Sequence, residues 1–148
     1  MAANKLTLLH KIESEKEEGL RKHFLQAQKH FNDNQQKLTG LNQFRLEYMQ
    51  QLHSKAQQGL TSNTFRQFHS FINKIEDAIK QQARVVNTAK QVVEQRRKLW
   101  IQQQAKAKAI SKLIEKQQLE IKIKQDKAEQ KMLDEFATIQ FFQRRAVG

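Results

Sequence analysis

The feature that most constrains this chain is a hydrophobic repeat that continues, without proline or glycine, from residue 65 to residue 142. Apolar residues recur there at alternating steps of three and four, a period of about 3.5 residues. This period predicts a coiled-coil helix, because a stripe with this spacing faces one neighbouring helix rather than a globular core. An unbroken helix of this length would extend roughly 115 Å. The stripe passes through Phe65, Phe68, Ile72, Ile75, Ile79, Gln82, Val86, Ala89, Val93, Arg96, Trp100, Gln103, Ala107, Ile110, Ile114, Gln117 and Ile121.

A second stripe with the same period runs from Leu20 to Leu52. The stretch between the two stripes holds Gly59, which suits the end of a helix, and Thr61, Ser62 and Asn63, each of which can cap the start of the next. A short connection makes two helices antiparallel neighbours. We therefore predict an all-α fold, an antiparallel two-helix coiled-coil hairpin with unequal arms, in a single domain covering residues 1–148. Helix one is predicted at about 5–56, the turn at 57–63 and helix two at 64–142, so that residue i faces roughly residue 120 − i.

The composition supports long helices and restricts the compartment. Hydrophobic residues make up 38% of the chain, enough for a stripe but not for a sizeable core, and the sustained heptads argue against the alternative of disorder. The chain has no Cys, which excludes disulfides and zinc–sulfur sites. No apolar run is long enough for a signal peptide or a membrane span. We expect a soluble, cytosolic protein.

The formal net charge of +12 is concentrated in one part of the long helix. Between Arg84 and Lys124 there are eleven Lys and Arg residues against three Glu. Such a stretch could bind nucleic acid through its phosphates. However, these side chains are predicted on all faces of the helix and no groove-reading module is recognisable, which favours a solvated surface or an acidic protein partner. Loose attraction to an anionic membrane surface stays open.

No pattern in the sequence indicates catalysis. There is no glycine-rich phosphate loop, and no two of the histidines are four residues apart, as a metal-binding helix would require. Neighbouring carboxylates such as Glu17 and Glu18 point to different faces of a helix. A two-helix protein also offers no pocket that excludes water. We predict a protein that is not an enzyme and has no catalytic, cofactor-binding or metal site.

Two apolar surfaces exceed what a two-helix interface needs. Near the turn, Leu41, Phe44 and Tyr48 on helix one lie level with Phe71, Ile75 and Ala78 on helix two, which indicates either a wide interface or a partner-docking patch. Beyond about residue 116 the second helix has no partner in the chain, yet it stays amphipathic. A frayed end and self-association are the alternatives to a partner protein there. The apolar positions of that end are Ile121, Met132, Leu133, Phe136 and Ile139.

Four segments carry a resemblance to a known family. They are residues 44–48 (FRLEY), 59–63 (GLTSN), 71–79 (FINKIEDAI) and 131–137 (KMLDEFA). In these segments, in length and in hairpin position, the chain resembles the flagellar FliJ family, coiled-coil components of the flagellar type III export apparatus.

The resemblance implies a non-enzymatic component of flagellar protein export, without a cofactor, similar to the central stalk of rotary ATPases. Its terminal end would enter the pore of the hexameric export ATPase FliI, and the protein would also contact the export gate protein FlhA and escort export chaperones. It would be cytoplasmic and peripherally associated with the inner membrane at the flagellar base. The family's gate-binding patch maps onto Leu41, Phe44, Tyr48, Phe71, Ile75 and Ala78, whereas Lys37 and Gln82 depart from the family pattern.

Other classes share these features. An ATP-synthase stalk normally carries a globular domain between its helices, for which the short turn leaves no room. A component of a virulence injectisome and a basic coiled coil that binds nucleic acid remain alternatives. Four polar residues on the stripe, Gln82, Arg96, Gln103 and Gln117, predict that the isolated hairpin is only modestly stable.

Overall fold

The computed structural model describes the backbone of residues 2–147 and the side chains of residues 5–147. The described chain forms two α-helices, α1 (Ala2–Gln58) and α2 (Ser62–Val147), which pack against each other in antiparallel directions. This confirms the predicted helical hairpin. The residues with low exposure recur at steps of three and four on both helices, as the hydrophobic repeat requires.

The connection between the helices is shorter than the predicted turn at residues 57–63. Among the described residues, only Gly59, Leu60 and Thr61 are outside the helices. Gly59 adopts a φ of 94°, the left-handed conformation that ends a helix at little cost for glycine, and its N–H donates to the carbonyl of Ala56 at 3.2 Å. The Thr61 hydroxyl accepts from the N–H of Thr64 at 3.2 Å and thereby caps α2. Efficient capping on both sides explains why the helices continue so close to the turn.

The helices also extend beyond the predicted outer bounds. α1 begins at Ala2 rather than near residue 5, and α2 continues to Val147 rather than ending near residue 142. Gly19 and Gly40 lie inside α1 without interrupting it. Because no proline follows residue 142 and Arg144 and Arg145 lie in the last turn, where cations are favourable, nothing in the sequence stops α2 earlier.

The described chain divides into two compact units. The hairpin unit consists of Glu17–Gln102 and contains the turn. Its core is a single stripe that includes Phe68, Ile72, Ile75 and Ala89, each less than 10% exposed, and a stacked pair formed by Phe24 and Trp100 with ring centroids 5.4 Å apart. No described side chain reaches less than 2% exposure, as expected when only two helices shield each other.

The terminal unit combines the start of α1, up to Lys16, with the part of α2 from Gln103 onward. Ala107 and Ile110 are buried against α1, and Ile114 and Gln117 are half-buried. From residue 118 to residue 147 every residue is exposed. Because Glu13 lies opposite Gln103 in an antiparallel pair, Ala2 at the start of α1 lies beside about residue 114 of α2. The remainder of α2, residues 118–147, is called the overhang below.

Candidate partner-binding surfaces

An aromatic cluster joins the two helices in the hairpin unit. It consists of Phe44 and Tyr48 from α1 and Phe68 and Phe71 from α2. The Tyr48 ring centroid lies 4.7 Å from that of Phe71 and 5.2 Å from that of Phe68, and the Phe44 centroid lies 6.2 Å from that of Phe71. Rings at these distances and tilted angles interact favourably beyond their area of contact. The cluster therefore has a fixed shape on the surface of the hairpin.

The members of the predicted docking patch differ in how much they offer to a partner. Phe44 and Phe71 are 46% and 40% exposed. Leu41, Tyr48 and Ala78 are half-buried, so a partner could contact only part of each side chain. Ile75 is only 6% exposed and belongs to the core between the helices. The accessible part of the predicted patch is thus centred on Phe44 and Phe71.

Charged groups lie beside the aromatic cluster. Arg45 Nη1 is 3.8 Å from Glu76 Oε1 across the two helices, with both side chains about 40% exposed. An ion pair this exposed contributes little to stability. The Lys55 ammonium lies over the Phe68 ring at 5.2 Å from its centroid. The apolar surface of Phe44 and Phe71 therefore has a polar border, as interface centres commonly have.

The overhang carries large apolar side chains that are mostly exposed. Phe136 is 59% exposed, Met132 71%, and Ile121, the first of the predicted positions, 49%. An exposed apolar stripe of this kind marks an interaction site or a liability for association. The predicted positions in this segment, all exposed, are Ile121, Met132, Leu133, Phe136 and Ile139.

The structure also exposes apolar residues that sequence analysis did not assign to either surface. In the terminal unit, Leu8, Leu9 and Ile12 on α1 are 59%, 41% and 41% exposed, and Leu113 on α2 is 51% exposed. The 3.5-residue period could have indicated them, because each lies next to a core position rather than on it. They extend the apolar surface of the terminal unit onto α1.

Few of the Lys and Arg side chains between Arg84 and Lys124 form an ion pair with a carboxylate of the described chain. Of its Lys and Arg residues, all but the half-buried Arg96 are exposed. Arg97 pairs with Glu94 at 3.1 Å, and Lys106 with Glu13 at 3.5 Å. The exposed cations create a positive surface potential that attracts acidic partners.

Neither metal binding nor membrane crossing finds support in the part of the chain that the structure describes. It contains no group of three or more His, Cys, Asp or Glu side chains that could hold a metal ion. None of its helical segments combines the length and the hydropathy needed to cross a bilayer.

Comparison with known proteins points to a single family. The family model described as "Flagellar FliJ protein" matches residues 1–146. A relative of the same description from Escherichia coli (strain K12) is 29% identical over 103 residues, which is 70% of this chain and 70% of the relative. No solved structure gives a significant match.

Proposed function

Since the chain belongs to the FliJ family of flagellar export-associated proteins, we propose that it is a non-enzymatic adaptor that binds two components of the export apparatus at different places on one hairpin. The overhang would bind the hexameric export ATPase, and the aromatic cluster would bind the export gate. The observation that carries this proposal is the exposed apolar stripe of residues 118–147, on a helix whose antiparallel neighbour has already ended. The flagellar family match favours this assignment over an injectisome component.

The ATPase is the better partner for the overhang because a single helix with an apolar stripe is suited to a surrounding wall or groove, which buries the whole stripe at once. Contact with the ATPase and the gate would place the protein at the cytoplasmic face of the flagellar base, where it would also meet export chaperones.

A truncation separates the two proposed activities. Removal of all residues after Gln130 deletes Met132, Leu133, Phe136 and Ile139 but leaves the hairpin unit intact. We expect this variant to lose stimulation of the export ATPase in a phosphate-release assay and to retain gate binding by calorimetry. Full stimulation by the truncated protein would show that the ATPase does not use the end of the overhang.

The gate surface is tested by exchanging its two accessible rings. Phe44→Ala combined with Phe71→Ala should weaken binding to the cytoplasmic part of the gate protein and leave the helicity measured by circular dichroism unchanged, because both side chains are at least 40% exposed. Gln51→Ala combined with Gln67→Ala is the matched control, since both glutamines are exposed residues near the same turn. Equal affinities for the two double variants would limit Phe44 and Phe71 to a role in packing.

A further inference from the structure

Two buried polar layers interrupt the apolar core of the hairpin. Glu13 and Asn34 are the polar residues with less than 10% exposure among those described, and each faces a glutamine of α2. Gln82 Nε2 donates to the backbone carbonyl of Asn34 at 2.8 Å and to its Oδ1 at 3.1 Å. Gln103 Nε2 donates to the backbone carbonyl of Glu13 at 2.9 Å and to its carboxylate. Each unit thus contains one layer, and both layers use the same arrangement.

The buried side-chain polar atoms of Asn34 and Glu13 all have partners. Asn34 Nδ2 donates to the backbone carbonyl of His30 at 2.8 Å. The second carboxylate oxygen of Glu13 lies 3.5 Å from Lys106 Nζ and 3.6 Å from Lys16 Nζ. Buried polar groups are tolerated when they are paired and costly when they are not. In this alignment of the helices the glutamine amides also reach the two side-chain acceptors, Asn34 Oδ1 and the Glu13 carboxylate.

The spacing of the layers makes the alignment specific. Asn34 follows Glu13 by three heptads, and Gln103 follows Gln82 by three heptads. A slip of one heptad keeps apolar residues opposite apolar residues along most of the core, so the repeat alone opposes it weakly. The same slip removes both glutamine amides from their side-chain acceptors. Depending on its direction, the residues facing Gln82 and Gln103 would be Leu41 and Leu20, or Ala27 and Leu6.

We propose that the Asn34–Gln82 and Glu13–Gln103 layers select the register of the hairpin. Polar residues in a core lower stability relative to leucine or isoleucine, and their benefit is the exclusion of alternative alignments. The selected register brings Phe44 and Tyr48 level with Phe68 and Phe71, so the layers also position the aromatic cluster. The inference depends on the packing of the helices and holds whether or not the proposed partners are correct.

Disulfide trapping reports the register directly, because the chain has no Cys of its own. Ala27 and Ala89 line one groove between the helices, so Ala27→Cys with Ala89→Cys reports the native register. Ala27→Cys with Arg96→Cys reports a slip of one heptad in one direction, and Leu20→Cys with Ala89→Cys reports the opposite slip. Mild oxidation in dilute solution, followed by electrophoresis of the monomer, gives the yield of each cross-link.

Removal of both layers should permit slippage. With the layers intact, we expect a cross-link in the native pair alone. In the variant with Glu13→Leu, Asn34→Leu, Gln82→Leu and Gln103→Leu, we expect both slipped pairs to gain cross-links with yields comparable to the native pair, at unchanged helicity. If this helical variant cross-links in the native pair alone, the layers do not select the register.

A relocated pair of layers provides a variant of identical composition, which answers the question even if the apolar variant aggregates. Asn34→Leu with Leu41→Asn, and Glu13→Leu with Leu20→Glu, move both acceptors by one heptad on α1. We expect the cross-link between the cysteines at positions 27 and 96 to become the main product. A native cross-link that remains the main product would overturn the proposal.

Discussion

Glu13 is a carboxylate buried in the core between two helices, and its surroundings favour the charged form. The hydrogen bond from Gln103 is the main reason that the pKa of Glu13 lies below its ordinary value, and Lys106 and Lys16 act in the same direction. Burial opposes this effect but does not outweigh it. Because the unfolded chain lacks these contacts, Glu13 binds a proton more weakly in the folded state than in the unfolded state.

This difference predicts a loss of stability in acid. The contribution of Glu13 is fully present above the pKa of the unfolded carboxyl group and disappears as the pH falls through the lower pKa of the folded state. Glu18 and Glu94, whose pKa values are lowered mainly by hydrogen bonds from Arg21 and Arg97, act in the same sense. Thermal melting of the native chain and of Glu13→Gln, compared at neutral and acid pH, isolates the part due to Glu13. The native chain should lose more stability on acidification, and equal losses would contradict this account.

Replacing a buried phenylalanine by alanine should cost much more stability than replacing an exposed one. Phe68 is 8% exposed in the hairpin core, so Phe68→Ala should lower the free energy of unfolding by about 3 kcal/mol or more. Phe136 is 59% exposed in the overhang, so Phe136→Ala should change it by less than about 0.5 kcal/mol. Urea denaturation followed by circular dichroism measures both. A large cost for Phe136→Ala would reveal a packing partner for the overhang.

At the residue scale, the sequence identified the core positions but not the polar pairs. The 3.5-residue period puts Gln82 and Gln103 on the core stripe, and from the sequence alone these residues predict lower stability of the hairpin. The pairing expected from a turn centred near residue 60 put them opposite Leu38 and Glu17. The structure pairs them with Asn34 and Glu13, one helical turn away. The apolar repeat determines the period of the core but leaves this offset open, so the pairing could not be read from periodicity alone.

At the scale of single elements, two glycines of similar surroundings have different roles. Neither a Cβ at Gly40 nor one at Gly59 would meet any atom within 4 Å, so sterics with neighbours do not distinguish them. Their backbones do, because Gly40 is helical whereas Gly59 has a positive φ. The ends of α1 and α2 near the turn thus depend on Gly59, and the interior of α1 does not depend on Gly40.

Alanine substitutions at these glycines should therefore have opposite signs. Gly40→Ala should stabilise the hairpin by up to about 1 kcal/mol, since alanine favours the helix and restricts the unfolded chain. Gly59→Ala should destabilise it by about 1 kcal/mol, because a left-handed conformation is unfavourable for alanine. Chemical denaturation of the two single variants tests both signs in one experiment. A stabilising Gly59→Ala would show that the turn can relax to another conformation.

The existence and direction of both helices were predictable from the sequence, whereas their ends were not. Heptad patterns and the absence of proline determine where a helix can run, and Gly59 with Thr61 indicates the turn. The outer bounds near residues 2 and 147 depend on whether a helix-ending residue such as proline is present. The repeat of apolar residues gives no information about this. The exposure of residues 118–147 follows from the unequal lengths of the arms, which the sequence did indicate.

At the scale of the whole molecule, the central claim is that the end of α2 serves a partner rather than the fold. The hairpin unit buries its apolar stripe, whereas the overhang exposes Met132, Leu133, Phe136 and Ile139. An apolar stripe that stays exposed in the described chain buries little surface on folding and favours association with another protein. Membership of the FliJ family makes a component of the flagellar export machinery the appropriate candidate.

Calorimetric titration of the export ATPase with two matched double variants tests this claim most directly. Phe136→Ala with Ile139→Ala removes two apolar side chains from the overhang, and Gln140→Ala with Gln143→Ala removes two exposed polar ones nearby. We predict that the first variant binds the ATPase at least roughly tenfold more weakly than the native chain, the effect of losing interface anchors. The second should bind as the native chain does. Equal affinities for both variants and the native chain would contradict the account.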